Sequence, residues 1–375
     1  PCQGFSAHRK KDDRDDPRNN LMVAFAKICK HYRPDVIVME NVPEILKGRY
    51  SNYWKDASDI LLESNYLLDA DILDLSLFGV PQRRKRAVIL GALNKEIKLP
   101  KPIFSEDNAL SVRHAISHLE SIESGNVAEY DSFHRAPDHT ERILERIRKT
   151  PKDGGDRRSL PIDDQLDCHI NVDNGKTPGF TDVYGRLRWD TPSVTITAKS
   201  STPSCGRFLH PEQDRNISVR EAGILQGFPQ FYEFEGSMIS QYRQIGEAVP
   251  PLFSRSLAWE VLNYFRAKPK VKIEFKQKNE ADIYQGQIKE NTIKTIDCFS
   301  GAGGLSLGFE LAGFETALAF DINEDAIKTF KHNISKNAIV ASVEDQNLSP
   351  KIIEYIDVDD FVIVGGPPCQ GFSQQ

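Results

Sequence analysis

The sequence predicts an α/β protein in which a doubly wound sheet is interrupted by a smaller, irregular domain. Three observations carry that expectation. Helix-like and strand-like stretches alternate from residue 1 to 99. A new strand, glycine turn, helix and strand begin at Lys294. Between them, from about residue 100 to 211, periodicity gives way to polar segments rich in Gly and Pro, such as Pro151-Lys152-Asp153-Gly154-Gly155.

The elements follow in order. Leu21, Ala24, Phe25 and Ile28 recur at helical spacing across 21–32. Val36-Ile37-Val38-Met39 is a short, wholly apolar run, the pattern of a buried strand. Residues 57–63 read as helix, 66–73 as extended and 87–90 as strand. Helices are expected over 219–225 and 251–265. Lys, Glu and Gln dominate 268–291, which reads as a linker. The last block reads as strand 295–299, helix 305–312, strand 314–320 ending at Asp321, and, after a helix and loop, strand 360–364. Such a βαβ beginning binds nucleotides at the carboxyl ends of its strands.

Composition narrows the class. Hydrophobic content of 39% and charged content of 27% suit a soluble globular chain. No apolar run approaches the ~20 residues that span a bilayer, so no membrane partner is expected. Six scattered cysteines make no disulfide framework and suggest a reducing, cytoplasmic setting. The net charge of −6 argues mildly against nucleic acid, but the cations cluster. Residues 82–86 read Gln-Arg-Arg-Lys-Arg, and a second cluster runs from Arg142 to Arg158. A solvated face is the plain alternative for each run.

Asp297-Cys298-Phe299-Ser300-Gly301-Ala302-Gly303-Gly304 is neither a dinucleotide fingerprint nor a phosphate loop. Its glycines let backbone approach a ligand, or merely make a tight turn. Asp321, at the next strand's end, can accept from a ribose diol. A ligand with a ribose and no pyrophosphate fits best, and S-adenosylmethionine is such a ligand. Asp345 is a candidate acceptor for an adenine amino group. No metal-ligand set is expected.

Pro-Cys-Gln-Gly-Phe-Ser occurs twice, at 1–6 and 368–373, so Cys2 and Cys369 share one local frame. The second copy follows an apolar strand and the first precedes a helix, as though one active site had been cut open. A thiolate nucleophile needs partners that favour its charge. Glu40 follows directly on the 36–39 strand, and a buried carboxyl there could give a proton to a heterocycle nitrogen. Arg84 and Arg86 alternate along an extended segment and are expected to share a face.

These residues resemble the DNA cytosine-5 methyltransferase family. Asp297 to Gly304 matches its cofactor motif, and Asp321 its acidic ribose position. Pro368-Cys369-Gln370 and Pro1-Cys2-Gln3 match its nucleophile motif, Glu40-Asn41-Val42 its Glu-Asn-Val, and residues 82–86 its Gln-x-Arg-x-Arg. Arg220-Glu221 matches its Arg-Glu, and residues 246–251 its Gly-Asn-Ala-Val-Pro-Pro, with Glu247 in place of Asn. The order is circularly permuted, with the cysteine-to-end part first and the cofactor part last.

The resemblance implies a Rossmann-like S-adenosylmethionine-dependent sheet with a target-recognition domain. Residues 1–99, 212–267 and 293–375 would form the catalytic domain, 100–211 the recognition domain and 268–292 the linker. It implies attack by a Cys thiolate on carbon 6 of a flipped-out cytosine in double-stranded DNA. Glu40 would bind the base, and Arg86, supported by Arg84, would hold its oxygen. The cofactor surface would comprise Phe299, Ser300, Gly301, Ala302, Gly303, Gly304, Leu305, Asp321, Ile322, Asp345, Pro367, Glu247 and Val249. Residues 184–189 and 195–207 are expected to read DNA. A restriction–modification enzyme, acting as a monomer, is the first reading. An inactive DNA- or S-adenosylmethionine-binding module, part of a two-methyltransferase fusion, exchange between two chains and a tRNA-methylating relative are the alternatives. Cys369 is favoured over Cys2 because its own strand precedes it.

Overall fold

The computed structural model describes residues 20–48, 50–165, 182–267, 292–345, 348–356 and 360–367. The linker stretch 268–291 and both hexapeptide copies lie outside these residues. The chain forms two compact units: residues 1–78, 85–103 and 247–375, and residues 79–84 and 104–246.

Unit 1 is a seven-stranded sheet. Its strands are β1 (Val36–Asn41), β2 (Tyr66–Asp74), β3 (Lys85–Leu93), β4 (Lys294–Cys298), β5 (Glu315–Asp321), β6 (Ala338–Val340) and β7 (Phe361–Gly365), in the order β2-β3-β1-β7-β4-β5-β6. From β1 to β6 neighbouring strands are parallel; β3 runs antiparallel to both of its neighbours. The two middle strands come from distant parts of the sequence, with Val36 opposite Val362 and Met39 opposite Gly365.

Every residue of β1 and β7 is buried. That explains why both read as continuous apolar runs rather than alternating ones. Ile37, Met39, Ile296, Leu318, Phe320 and Ile363 form one core face with α1 (Leu21–Tyr32) and α2 (Ser51–Glu63). Val36 and Val38 on the other face are equally buried, so both faces are covered. Each such side chain contributes about 1.5–3 kcal/mol on burial. Gly91 and Gly365 are glycine because a Cβ would press on Ile37 and Leu68, and on Phe25, respectively.

Unit 2 lacks a regular sheet among the described residues. Short helices, α3 (Val112–Ile116), α4 (Glu141–Lys149), α5 (Val219–Leu225) and most of α6 (Met238–Glu247), join irregular loops through isolated β-bridges. Buried arginines hold these loops. Arg186 donates to the carbonyls of Ile147, Thr150, His210 and Gln213 and pairs with Asp214. Arg215 donates to Ile122 O and grips both oxygens of Glu221 at 2.7 and 2.8 Å. One guanidinium offers five donors in a fixed fork, enough to satisfy loop carbonyls that no ladder pairs.

The same arginines move the expected domain boundary. Residues 212–246, read from sequence as a return to the catalytic domain, pack with unit 2. Arg215 is tied to Ile122, Val219 N donates to Arg135 O, and Arg220 pairs with Asp131. Residues 79–84 also belong to unit 2, where Gln82 bridges Ser193. No helix among the described residues is long and apolar enough to cross a membrane.

Candidate active site

The carboxyl ends of the parallel strands bring the unit 1 candidates to one sheet edge. Glu40 lies at the end of β1, Phe299 follows β4, Asp321 ends β5, and Gly366-Pro367 follow β7. Glu40 is fully buried. It lies opposite Val88 in the antiparallel ladder, so Arg86 is its diagonal neighbour on the same face. Arg86 Nε stands 2.8 Å from Glu40 Oε1, and both side chains are buried. The contact is ionic, without hydrogen-bond alignment, and neither Glu40 oxygen accepts a hydrogen bond within the described residues. A buried carboxylate left in that state has acceptor capacity for a substrate donor.

Asn41 is a positioning residue that the sequence reading assigned no role. Its Nδ2 donates to Pro367 O at 3.1 Å, and its Oδ1 accepts from Val42 N at 2.8 Å. The bond fixes the segment leaving β7 beside the end of β1. Pro367 is the last described residue there; Cys369 and Cys2 lie beyond what the structure describes.

The glycine turn links β4 to α7 (Gly304–Leu311). Phe299 has φ 63°, a left-handed backbone costing an aromatic residue about 1–2 kcal/mol. Gly301 has φ 51°, and a Cβ there would meet nothing within 4 Å. Gly303, with φ 86°, would collide with Ile334 and Phe330, and Gly304 with Val249 O. Only Gly301 therefore borders open space, while Gly303 and Gly304 serve packing. Ala302 and Leu305 are buried, whereas Ile322 and Asp345 are exposed.

Asp321 accepts from Gly301 N at 2.9 Å through Oδ2 and from Asn323 N at 2.8 Å through Oδ1. Burial raises its pKa, these N–H groups oppose the rise, and the nearby charge of Glu247 adds to it. A second carboxylate went unassigned in the sequence. Asp297 is buried on β4 and pushed up to about 7 by burial; the Ser306 hydroxyl, donating at 2.6 Å, opposes this and Asp321 reinforces it. Among the described residues its Oδ1 has no hydrogen-bond partner, nor has the buried Ser300 Oγ. The open face at Gly301, the orphaned Ser300 hydroxyl and the oriented Asp321 carboxylate fit a ligand carrying a ribose and an amino acid group.

Arg84, expected to support Arg86, lies in unit 2. In unit 2 its guanidinium donates to Ile196 O at 3.2 Å and Gly246 O at 3.1 Å, a scaffold duty that follows from its complete burial. The expected DNA readers of 184–189 also divide. Tyr184, Arg186 and Trp189 are buried, and Trp189 Nε1 donates to Glu212 Oε1 at 2.8 Å, while Arg188 stays exposed. Arg207 donates to the carbonyls of Gly154, Gly155 and Arg186 and pairs with Asp156. In the second basic cluster, Arg148, Lys149, Lys152 and Arg158 pair with Glu141, Asp164, Asp214 and Asp156.

The mixed seven-stranded sheet, with its glycine turn and acidic strand end, is Rossmann-like. The chain belongs to the C-5 cytosine-specific DNA methylase family, whose model matches residues 1–263 and 293–375. It is 35% identical over 268 residues to the type II methylase M.HgiDII of Herpetosiphon aurantiacus, covering 70% of this chain and 74% of that one. It is 33% identical over 286 residues to the type II methyltransferase M1.HgaI of Avibacterium volantium, covering 70% and 77%. Among solved structures, the Entamoeba histolytica methyltransferase EhMeth matches with a TM-score of 0.41 and 18% identity over 72% of this chain and 76% of that one.

Proposed function

We propose that this chain methylates carbon 5 of a flipped-out cytosine in a specific sequence of double-stranded DNA, as the modification enzyme of a restriction–modification system. The observation that supports it most is Glu40, a fully buried carboxylate, ion-paired to Arg86 yet accepting no hydrogen bond among the described residues, beside the segment leading to Cys369. Bound S-adenosylmethionine would supply an electrophilic methyl group. Ser300, Gly301 and Asp321 would hold it, with Phe299, Leu305, Ile322, Asp345, Pro367, Glu247 and Val249 around it.

Extruding the base costs a few kcal/mol. The Cys369 thiolate then forms a bond to carbon 6 while Glu40 hydrogen-bonds the ring nitrogen and exocyclic amine, so that electron density builds on carbon 5. Carbon 5 takes the methyl group, with S-adenosylhomocysteine as the leaving group. A base removes the carbon 5 proton, and the electron pair restores the carbon 5–carbon 6 double bond while the Cys369 sulfur–carbon 6 bond breaks. Cys369 is preferred to Cys2 because its own strand precedes it in the chain. Trapping on a duplex containing 5-fluorocytosine tests this. Cys369→Ser should abolish the adduct and Cys2→Ser should leave it; an adduct surviving in the double variant would refute covalent catalysis by either residue.

The motif order is read as a circular permutation within one catalytic unit. In support, residues 36–93 and 294–365 contribute to a single sheet, with β1 paired to β7. One trapped duplex per chain is expected, and two would favour a fusion of two methyltransferases. Chain exchange would double the mass found by sedimentation, whereas a monomer is expected.

A binding-only reading has one observation in its favour: Glu247 lies close enough to Asp321 to raise its pKa, an unfavourable pair of like charges at the cofactor surface. Tritiated methyl transfer to mixed-sequence DNA decides it, since robust incorporation excludes an inactive module. Glu247→Asn should then tighten S-adenosylmethionine binding.

A further inference from the structure

We propose that Arg83 and Lys199 of unit 2 form a rigid platform that grips the phosphate backbone of duplex DNA irrespective of base sequence. The proposal rests on the reading of DNA as substrate. The starting point is alternation: in the extended stretch Gln82-Arg83-Arg84, the outer two side chains are fully buried and Arg83 points to solvent.

The buried pair fixes the neighbouring loop. Gln82 Nε2 donates to Leu225 O and Gln226 Oε1, and its Oε1 accepts from Ile196 N at 2.9 Å. Arg84 holds Ile196 O and Gly246 O. The backbone of Arg83 is pinned on both sides, its N–H donating to Ser193 O at 2.8 Å and its carbonyl accepting from Thr195 Oγ1 at 2.8 Å. The loop continues through Thr197-Ala198, packed so closely on Gly246 that a Cβ there would overlap it. A turn closed by Ser200 N donating to Thr197 O then presents Thr197 and Lys199 to solvent.

Charge supplies the second argument. No Asp or Glu occurs in residues 79–84 or 191–211. The other basic run is largely neutralised by its own carboxylates. Neither Arg83 nor Lys199 has an ion pair among the described residues, although the chain as a whole carries a net charge of −6. An acid-free pair of cations on immobilised backbone suits a polyanion, because little ordering remains to be done on binding. Contacts to phosphate position the protein without carrying sequence information.

The test is a salt titration of the whole protein on short duplexes of two unrelated sequences. Each phosphate contact adds about 0.9 to the steepness of log K against log salt. Arg83→Gln and Lys199→Gln should each flatten the slope by about 0.9, and the double variant by about 1.8, equally on both duplexes. Arg83→Lys should restore its share, and Arg142→Gln, a charge control on α4, should leave the slope as it was. In methyl transfer the double variant should raise KM for DNA with kcat unchanged. Melting temperatures should not move, because both side chains are exposed. An unchanged slope in the double variant, an equal loss in Arg142→Gln, or a loss confined to one duplex would overturn the platform. A wild-type protein with no salt-dependent affinity for either duplex would instead overturn the DNA reading beneath it.

Discussion

The two units treat buried charge in opposite ways. In unit 2 the buried carboxylates are fully engaged: both oxygens of Glu221 are held by Arg215, and both oxygens of Asp156 by Arg158 and Arg207. In unit 1, among the described residues, Glu40 accepts no hydrogen bond and Asp297 Oδ1 has no hydrogen-bond partner, and both lie toward the carboxyl ends of central strands. Unit 1 has an apolar core to hold it and can leave polar groups unsatisfied at its edge. Unit 2 has no regular sheet among its described residues and uses its charges as framework. Among these buried carboxylates, saturation goes with framework, and the unsaturated ones are the candidates for chemistry.

Removing a scaffold charge should have the largest effect. Glu221→Gln leaves Arg215 buried and uncompensated, and should destabilise unit 2 by about 3–5 kcal/mol. Arg215→Leu alone should cost a similar amount, whereas the double Leu variant should cost less than either, because the pair's desolvation penalty goes with it. Urea unfolding of the three variants measures the coupling. Simple additivity would mean that the pair is not the framework it resembles.

Glu40→Gln should invert that pattern. The amide keeps an acceptor for Arg86 but loses the charge and proton exchange that the base requires. Methyl transfer per folded molecule should fall by about 10²–10⁴-fold, the usual span for a positioned acid–base group, an effect larger than the stability lost by leaving Arg86 without its carboxylate. A variant that unfolds early while its remaining folded fraction retains full activity would place Glu40 among the scaffold charges.

The units should also respond to pH in opposite directions. In unit 2, burial lowers His210 from 6.5 to about 4, and Arg215 outweighs burial to lower Glu221 from 4.5 to about 2. Both depressions stabilise the fold above about pH 6.5, and that stability drains away as pH falls through the 6.5-to-2 range. In unit 1, burial raises Asp297 from 3.8 to about 7. The folded state then holds the proton more tightly, so the contribution is greatest below pH 3.8 and is lost as pH rises toward 7. Hydrogen exchange resolved by unit should show unit 2 opening on acidification and unit 1 loosening toward pH 8. Asp297→Asn should flatten the second trend, with a gain on the order of 4 kcal/mol at pH 8. An unaltered profile in that variant would remove Asp297 from the account.

Unit 1 was legible in sequence because its strands obey burial rules that residues 36–39 and 361–364 display openly. Helix limits at 21–32 and 219–225 agree with the apolar spacing. Unit 2 was less legible for a physical reason. A guanidinium that binds loop carbonyls looks the same in a sequence as one that binds phosphate, so Arg186 and Arg207 read as DNA contacts and Arg84 as a pocket residue. Asp297 lies inside the cofactor motif, yet only its burial, which outweighs the opposing Ser306 hydroxyl nine residues on, discloses its raised pKa. Likewise, the ion pair of Arg86 with Glu40 needs the β1–β3 register, which no single strand pattern contains.

The glycine turn offers the finest comparison, between two positions three residues apart. Gly304→Ala would drive a methyl group into Val249 O, which is backbone and cannot swing aside. It should cost several-fold more stability than Gly301→Ala, whose Cβ would stand in open space. For Gly301 the only folded-state penalty is its φ of 51°, about 1 kcal/mol for a residue with a Cβ. If the opening at Gly301 holds S-adenosylmethionine, this mildly destabilised variant should bind the cofactor at least tenfold more weakly by calorimetry. Equal affinities in Gly301→Ala and the wild type would leave the turn a packing device throughout, as it already is at Gly303 and Gly304.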